Sequence, residues 1–381
     1  MKALIITTSI VLFFCFPCSS LSATFTVCSS GCNSKNISDI FSEYDLSGGD
    51  IVEVRADTVG GSKVYYETIK PEADDMGSSG KPLIVKARKG DKVTISGSTH
   101  GVDTRTNGVY YITIEGFNFT NTDSYIMYLG ENGSLQKSYP IAEEITIQNC
   151  TILGHKNQGI FLNRGSNCMI KNNTITSYDG SIPEQSDGIV LYRGANNILD
   201  GNTIVIKNDS DSPHVDCAQT AWEDNLTVRN NYFEQNNTSG ANKQFVITQV
   251  NSGYVALYNN IFYKATGNTN SNAISISGGD ADIYVLNNSL LINGCASGIM
   301  NRNTGLLHIQ NNAIKINASV TGIYLDGGTQ TKTNIHHNVI WTAQKSQLFW
   351  RDNNGYHDLL AWQSLGGGNG SNAQNFSLDH N

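Results

Sequence analysis

The stretch IKNNTI, residues 170–175, shows the pattern that repeats along most of this chain. An aliphatic residue comes first, polar residues that usually include Asn fill the middle, and an apolar residue comes last. Related stretches are IEGFNF (114–119), IQNCTI (147–152), LDGNTI (199–204), VRNNYF (228–233), LYNNIF (257–262), VLNNSL (285–290), IQNNAI (309–314) and IHHNVI (335–340). In chain order their first residues lie 33, 23, 29, 29, 29, 28, 24 and 26 positions apart. A period of this size, built from short strands, is typical of a solenoid.

Each cycle of the repeat contains a second apolar strand, seen in GIFLNRG (159–165), GIVLYRG (188–194) and GIYLDGG (322–328). A third strand must close the cycle for the chain to return on itself. Asn suits the turns because it tolerates the left-handed backbone region, and its side-chain amide can bond the next Asn one rung away. The sequence therefore predicts an all-β fold, a single right-handed parallel β-helix over residues 24–345.

Two segments outside the repeat resemble known proteins. GGDIVEVRADTVGG (48–61) and GKPLIVKARKGDKVTISGS (80–98) resemble the first rungs of secreted polysaccharide-active β-helix proteins, including polysaccharide lyases of the pectate lyase superfamily. YHDLLAWQSLGG (356–367) resembles the segment that follows the last rung in many of them. The resemblance implies the scaffold more firmly than the function.

The carboxyl-terminal residues predict a cap on the coil over residues 346–381. Leu359, Leu360 and Trp362 in HDLLAW have helical spacing, so we expect a short helix there with Trp350 nearby. Terminal rungs of a solenoid need such a cap because they otherwise expose apolar surface and strand edges. The chain stops at FSLDHN (376–381) without a short final strand, which suggests a truncated carboxyl terminus.

The first 23 residues predict a secretory signal peptide. A basic Lys2, the apolar run ALIITTSIVLFFCFP (3–17) and the small residues SSLSA (19–23) fit that class, with cleavage after Ser22 or Ala23. The apolar run is too short for a membrane span. We therefore expect a mature monomer outside the cell or in a periplasm, without a membrane partner.

Composition restricts the partners of the chain. The formal net charge is −8 and only 15% of the residues are charged. A nucleic-acid partner requires a basic footprint, and the sequence shows none. An acidic polysaccharide would be repelled at long range, so a local Arg, Lys or metal ion would have to hold it.

The eight cysteines divide into three groups. Cys15 and Cys18 leave with the signal peptide. Cys28 and Cys32 lie in CSSGC, and export favours a disulfide between them. The remaining cysteines show no metal-ligand spacing, which predicts buried free thiols; they are Cys150, Cys168, Cys217 and Cys295.

The stretch HVDCAQ (214–219) breaks the apolar pattern, and alignment of neighbouring rungs gives it companions. The segments QGIFLNRGSNCMI (158–170), DGIVLYRGANNIL (187–199) and DCAQTAWEDNLTV (216–228) align by their ends. One column then contains Gln158, Asp187 and Asp216, and a second contains Arg164, Arg193 and Trp222. Stacked rungs lie about 4.8 Å apart, so two stacked arginines favour an anion bound between them. One rung on, KQFVITQ adds Lys243 and Gln249.

These residues supply the parts of a polysaccharide lyase that acts on uronate by β-elimination. Such an enzyme needs a base, a cation that neutralises the carboxylate, and an acid for the leaving oxygen. The candidates are His214 or Lys243 as base, Arg164 and Arg193 as cations, and Tyr192 as acid. We expect Arg164, Asp216, Gln219, Trp222 and Gln249 to bind the substrate. Glu184, Asp187 and Asp216 offer oxygen ligands for Ca²⁺.

Other functions remain open on the same scaffold. An epimerase uses similar parts, and a glycoside hydrolase needs two carboxylates, for which Asp187 and Asp216 are candidates. The chain lacks the GHG and RIK motifs of polygalacturonase-type hydrolases and the DPH run of alginate epimerases. A binding or adhesive rod without catalysis would use Trp222 and Tyr192 to stack on sugar rings. Each residue also has a structural explanation: His214 as a solvated loop residue, the arginines as ion-pair partners, and Asp216 as a turn cap.

Overall fold

The computed structural model describes residues 22–342 except 73, 98, 105–108, 121–124, 131–141, 181–185, 208–214, 237–245, 251, 265–271, 295–296, 317–320 and 326–332. It also describes the backbone of residues 349–351 and 355–357, and for Val109 and Ile247 it describes only the backbone. Within these residues the chain forms a parallel β-solenoid with three long sheets, as predicted.

Sheet 1 begins each cycle and has twelve strands. They are β1 (Thr24–Val27), β2 (Ile51–Val54), β4 (Leu83–Ala87), β8 (Ile112–Glu115), β12 (Thr146–Gln148), β16 (Met169–Lys171), β19 (Ile198–Asp200), β22 (Leu226–Arg229), β25 (Tyr254–Tyr258), β28 (Asp282–Leu286), β31 (Leu307–Gln310) and β34 (Thr333–His336).

Sheet 2 has eleven strands, and from Ile112 onward it follows sheet 1 after a two-residue turn. They are β3 (Ser62–Tyr65), β5 (Lys92–Ile95), β9 (Asn118–Thr120), β13 (Thr151–His155), β17 (Thr174–Ser177), β20 (Thr203–Ile206), β23 (Tyr232–Gln235), β26 (Ile261–Lys264), β29 (Ser289–Ile292), β32 (Ala313–Ile316) and β35 (Val339–Thr342).

Sheet 3 completes the cycle, also with eleven strands, and a three-stranded ribbon lies between it and sheet 1 in the early rungs. Sheet 3 consists of β6 (Val102–Asp103), β10 (Met127–Leu129), β14 (Ile160–Asn163), β18 (Ile189–Tyr192), β21 (Ala218–Glu223), β24 (Val246–Val250), β27 (Asn272–Ser277), β30 (Ser297–Arg302), β33 (Thr321–Leu325), β36 (Phe349–Arg351) and β37 (Gly355–His357). The ribbon consists of β7 (Val109–Tyr110), β11 (Ala142–Glu143) and β15 (Gly165–Ser166).

The core of the coil is built from columns of aliphatic side chains. Ile170 pairs in register with Leu199, Leu199 with Val228, and Val228 with Leu257. All four are buried in one hydrophobic cluster, which confirms the predicted stacking. Alternate residues of a strand point to opposite faces, so each strand contributes one column inward and presents another outward.

The turn between sheet 1 and sheet 2 is held by a buried asparagine ladder. In each rung the Asn side-chain oxygen accepts the backbone N–H and the side-chain N–H of the Asn one rung before, at 2.8–3.1 Å. The ladder runs through Asn173, Asn202, Asn231, Asn260, Asn288, Asn312 and Asn338. Most of the residues that precede them in the turn are also Asn, and these have positive φ angles, as at Asn230 with φ 58°. The two predicted roles of Asn therefore fall to two adjacent positions of the turn. The ladder residue forms the hydrogen bonds between rungs, and the residue before it adopts the left-handed conformation.

At the amino-terminal end of the coil lies α1 (Ile37–Glu43), a helix that the sequence analysis did not anticipate. Its residues Ile37, Ile40 and Phe41 are buried in the core cluster, and the helix packs against the terminal strand β1. Cys28 and Cys32 form the predicted disulfide. No helix in the described part of the chain is long and apolar enough to cross a membrane.

The carboxyl-terminal end differs from the expected helical cap where the structure describes it. β36 continues sheet 3 beyond residue 345, the expected end of the coil, and β37 pairs with it in antiparallel fashion. His357, the first residue of the expected helix HDLLAW, is the last residue of strand β37. Leu359, Leu360 and Trp362 lie outside the described residues.

Candidate functional site

The bend between sheet 3 and sheet 1 repeats the same backbone conformation on three rungs. Arg164, Arg193 and Trp222 have φ angles of 59°, 58° and 57°. The backbone N–H of Arg164 donates to the carbonyl of Tyr192, and that of Arg193 donates to Ala221. The column of Arg164, Arg193 and Trp222 expected from the aligned sequences is therefore present.

Arg193 lies against two aromatic rings at this bend. Its guanidinium carbon is 4.8 Å from the centre of the Tyr192 ring and 5.1 Å from that of Trp222. The two rings are 4.9 Å apart and nearly perpendicular, with an interplanar angle of 79°. A cavity of about 410 Å³ is lined by Arg193, Gly194, Trp222 and Asp224. We call these four residues and Tyr192 the Arg193–Trp222 surface.

The charges on this surface do not neutralise each other directly. Among the residues that the structure describes, Arg193 forms no salt bridge. The Asp224 carboxylate, which also lines the cavity, accepts the backbone N–H and the hydroxyl of Ser252, both at 2.9 Å. Trp222 is 44% exposed. The surface therefore offers a cation and an aromatic face to a ligand.

Asp187 and Asp216 also stack as the alignment predicted, but they point inward. The backbone N–H of Gly188 donates to the carbonyl of Asp216, which sets the register. Both aspartates are 0% exposed. Asp187 comes two residues before the core residue Ile189, and Asp216 two before the core residue Ala218, so alternation directs them into the coil. Their burial contradicts the expected contact of Asp216 with a substrate and the use of both aspartates as hydrolase carboxylates.

The described carboxylates do not form an open calcium site. One Asp187 oxygen accepts the backbone N–H of Asp216 at 2.8 Å, and neither side chain reaches solvent. Ca²⁺ requires six to eight oxygen ligands, some of them commonly water. Within the described residues no group of three His, Cys, Asp or Glu side chains is placed to hold a metal ion. The third expected ligand, Glu184, lies outside these residues.

Arg164 does not share the exposure of Arg193. Its side chain is only 7% exposed, so the expected pair of stacked, accessible arginines is not presented to solvent. Exposure along this column increases from Arg164 to Arg193 to Trp222. The alignment assigned the column correctly but could not assign the depth of each side chain, which depends on neighbouring rungs.

The other predicted site residues divide between the outward face of sheet 3 and regions outside the described residues. Gln219 is half-buried on β21, and the exposed Gln249 pairs with Ala221 on the next rung. His214 and Lys243 lie outside the described residues. Their predicted role as base therefore stays a prediction.

An aromatic cluster on the same sheet escaped the sequence analysis. Tyr128 and Phe161 pair across β10 and β14, with ring centres 4.9 Å apart. Tyr125 lies 4.9 Å from Tyr128 and 5.3 Å from Phe161, and His100 stands edge-on to Tyr128. Alternation within MYL and IFLN places Tyr128 and Phe161 outward and could have revealed them.

Polar side chains fill the interior where sheet 2 meets sheet 3. Lys264 and Gln235 are buried there, and Gln235 donates to the carbonyl of Val215 at 3.2 Å. Burial and the charge of Asp216 raise the pKa of the Cys217 thiol, while Lys264 acts in the opposite direction. Cys217, like Cys150 and Cys168, is a buried free thiol, as predicted. Cys295 lies outside the described residues.

Comparison with known proteins identifies the scaffold. The model of the family described as "Right handed beta helix region" matches residues 100–290, half of the 381-residue chain. The chain belongs to the right-handed β-helix family. The predicted fold and its handedness are therefore confirmed. A search of curated proteins found no match.

Solved structures with a similar β-helix fold cover most of this chain. XylC in complex with xylose has a TM-score of 0.59 at 11% identity, over 84% of this chain and 75% of that one. Pectate lyase Pel9A has a TM-score of 0.52 at 15% identity, over 84% and 80%. A mannuronic acid specific family 6 lyase from human gut microbiota reaches 0.44 at 15% identity, over 88% and 71%. The TM-scores above 0.5 at such low identity show a shared fold and nothing more, which confirms the resemblance to lyase-like β-helices at the level of the fold.

Proposed function

We propose that this β-helix protein binds an acidic polysaccharide on the outward face of sheet 3 and cleaves it by β-elimination beside a uronate carboxylate. One observation supports this above the others: the guanidinium of Arg193 lies against Tyr192 and Trp222, beside a cavity, and has no salt bridge to a described carboxylate. The related folds of pectate lyase Pel9A and XylC agree with a saccharide ligand.

The Arg193–Trp222 surface matches the two chemical features of a uronate residue. Saccharide sites combine aromatic side chains with a few well-placed polar groups, and Trp222 offers such a ring. Arg binds a carboxylate through two parallel N–H donors. Because the protein has a net charge of −8, a polyanion needs local positive charge to stay bound, and Arg193 supplies it.

The same residues fit a stepwise account of elimination. A base removes the proton from the carbon that bears the carboxylate, and the electron pair forms a double bond to the neighbouring carbon. The bond from that carbon to the glycosidic oxygen breaks, and the oxygen receives a proton. In the proposal Arg193 stabilises the charge that develops on the carboxylate. Tyr192 gives the proton to the leaving oxygen, and His214 or Lys243 is the base.

Binding without cleavage is the second candidate. The burial of Asp187 and Asp216 favours it over hydrolysis, since a hydrolase needs two carboxylates that reach the scissile bond. The cation and the aromatic rings suffice for binding alone.

The deciding experiment offers uronate polymers of several kinds to the mature protein and follows the absorbance of unsaturated ends. It is run from about pH 5 to about pH 9, with a chelator and separately with added Ca²⁺. We expect unsaturated product from wild type and from Arg55→Ala, a control remote from sheet 3, and little from Arg193→Ala. Binding without product in every condition would contradict the lyase proposal and support binding without cleavage. Absence of binding would contradict both proposals.

We also propose that the protein acts outside the cytoplasm as a monomer. The disulfide Cys28–Cys32 supports export, as does the predicted signal peptide. Mass spectrometry of secreted material should find an amino terminus at Ala23 or Thr24, and light scattering should give the mass of one chain. A full-length chain retained inside the cell would contradict the proposal.

A further inference from the structure

A buried carboxylate links the two halves of the Arg193–Trp222 surface. Glu223 follows Trp222 on β21 and is 0% exposed. One of its oxygens accepts the backbone N–H of Gly194, the residue after Arg193, at 2.8 Å. The other accepts the side-chain N–H of Asn197, also at 2.8 Å. One side chain therefore connects the end of β21, next to Trp222, to the bend that contains Arg193 one rung before.

An extra residue in β21 explains why a glutamate points inward here. The pairing of β21 with β24 shifts register between Ala221 and Glu223, and Trp222 between them has a φ of 57°. This irregularity inverts the alternation of the strand. Trp222 consequently faces solvent and Glu223 faces the interior, although simple alternation would assign them the opposite way.

The bend is tightly packed around Gly194. A Cβ atom on Gly194 would lie 2.4 Å from the Gly165 carbonyl oxygen and 2.6 Å from a Glu223 oxygen. Asn197 also donates to the Gly165 carbonyl at 3.0 Å and accepts the backbone N–H of Cys168 at 3.0 Å. Movement of Glu223 would therefore reach both Arg193 and the preceding rung.

We propose that Glu223 is a positioning residue for the Arg193–Trp222 surface and that it acts only as an ionised carboxylate. Both of its partners, Gly194 N–H and the Asn197 amide, are donors. A carboxylate accepts both as charge-assisted hydrogen bonds, whereas protonation turns one oxygen into a hydroxyl, a poorer acceptor that weakens or breaks the hydrogen bond on that side. The consequence for saccharide affinity rests on the proposed function, but the positioning itself does not.

The surroundings of Glu223 bring its pKa close to neutral pH. Burial raises its pKa to about 7, Asn197 and Gly194 oppose that rise, and Asp224 adds to it. One other ionisable group nearby is the Cys168 thiol, whose pKa is raised by burial and by the charges of Glu223 and Glu143. The remaining ones are Arg193 and Arg164, which lie at the same bend on neighbouring rungs. We therefore expect the bend to be fixed above about pH 7 and released below it.

The first test needs no ligand. The wild-type protein is titrated from about pH 5.5 to about pH 8.5 while tryptophan fluorescence and the infrared carboxyl band are recorded. We expect a transition centred near pH 7 in both signals. Glu223→Gln should abolish it, and Trp222→Phe should abolish only the fluorescence change. A transition that survives in Glu223→Gln, or no infrared change in wild type over this range, would overturn the proposal.

A second measurement does not depend on the folding of that variant and connects the bend to binding. Removing the Asn197 amide with Asn197→Ala should move the wild-type midpoint upward, because that amide stabilises the ionised carboxylate. Affinity for an oligouronate should fall about fivefold from pH 8 to pH 6, the equivalent of about 1 kcal/mol for one lost hydrogen bond. An unmoved midpoint would contradict the positioning role. A moved midpoint without any oligouronate binding would contradict only the proposed function.

Discussion

The carboxylate of Asp187 accepts the backbone N–H of Asp216 at 2.8 Å, and both side chains are closed off from solvent. Two acidic residues that looked like a catalytic or metal-binding pair in the aligned sequence therefore belong to the interior of the coil. Their contribution is to stability, because a buried backbone donor that loses its acceptor is costly.

Asp187→Ala should lower the free energy of unfolding by about 1–3 kcal/mol, since it leaves the Asp216 N–H unsatisfied. Asp187→Asn retains an oxygen acceptor and should cost less. Urea denaturation of both variants, with the exposed Asp57→Ala as control, measures the difference. Loss of saccharide cleavage by Asp187→Ala at unchanged stability would return Asp187 to the active site.

The asparagine ladder gives a second prediction about stability. Asn260→Ala should destabilise the coil by about 1–3 kcal/mol for each buried group left unpaired, because Asn231 donates two hydrogen bonds to the Asn260 oxygen. Asn259→Gly is the matched control: Asn259 has a φ of 58°, and Gly201 occupies the equivalent place on another rung. Equal effects of the two substitutions would show that the ladder contributes no more than the turn beside it.

His155 should make the fold sensitive to acid. Burial lowers its pKa from 6.5 to about 4, so it stays neutral in the folded state while the unfolded chain takes up a proton below pH 6.5. The unfolded state then binds more protons, and stability falls as the pH drops from about 6.5 toward 4. In His155→Gln this part of the decline should be absent. Urea unfolding at several pH values, with His308→Gln on the surface of sheet 1 as control, tests the prediction; an unchanged decline would contradict it.

Glu223 should change the stability of the fold with pH in the direction opposite to His155. Its pKa is raised from 4.5 to about 7, so the folded state binds the proton more tightly than the unfolded chain. The stability that this provides is fully present below about pH 4.5 and is lost as the pH rises through about 7. Relative to wild type, Glu223→Gln should therefore lose less stability between pH 5 and pH 8. An identical pH dependence in the two proteins would be the contrary result.

The repeat predicted the scaffold because one local rule, an aliphatic column beside an Asn turn, is enough to define a solenoid. The same regularity aligned Arg193 with Trp222 and Asp187 with Asp216 correctly. The inward direction of the Asp187 and Asp216 side chains was not predicted from the alignment. It follows from the alternation of inward and outward residues, counted back from Ile189 and Ala218. Glu223 was missed for a different reason: the irregularity at Trp222 reverses the alternation, and nothing in AWED (221–224) signals it.

The ring contacts of Arg193 lead to the final prediction. Arg193→Lys keeps the positive charge but loses the planar guanidinium that lies against Tyr192 and Trp222 and binds a carboxylate through two donors. Affinity for an oligouronate should fall about tenfold in Arg193→Lys and further in Arg193→Ala, as bidentate charge-assisted hydrogen bonds are lost. Trp222→Ala should weaken binding by a similar factor.

The double variant distinguishes one site from two independent contacts. Because Arg193 and Trp222 touch each other, their effects should not add, and a coupling of about 0.5–3 kcal/mol is expected between them. Calorimetry at low and high salt measures each loss of binding free energy, and only Arg193→Ala, which removes the positive charge, should flatten the salt dependence of binding. Arg55→Lys, just after β2, and Trp341→Ala, on β35, are the controls for the exchange of Arg for Lys and for aromatic area. Strictly additive losses, or equal losses in the controls, would show that Arg193 and Trp222 do not bind the saccharide as one surface.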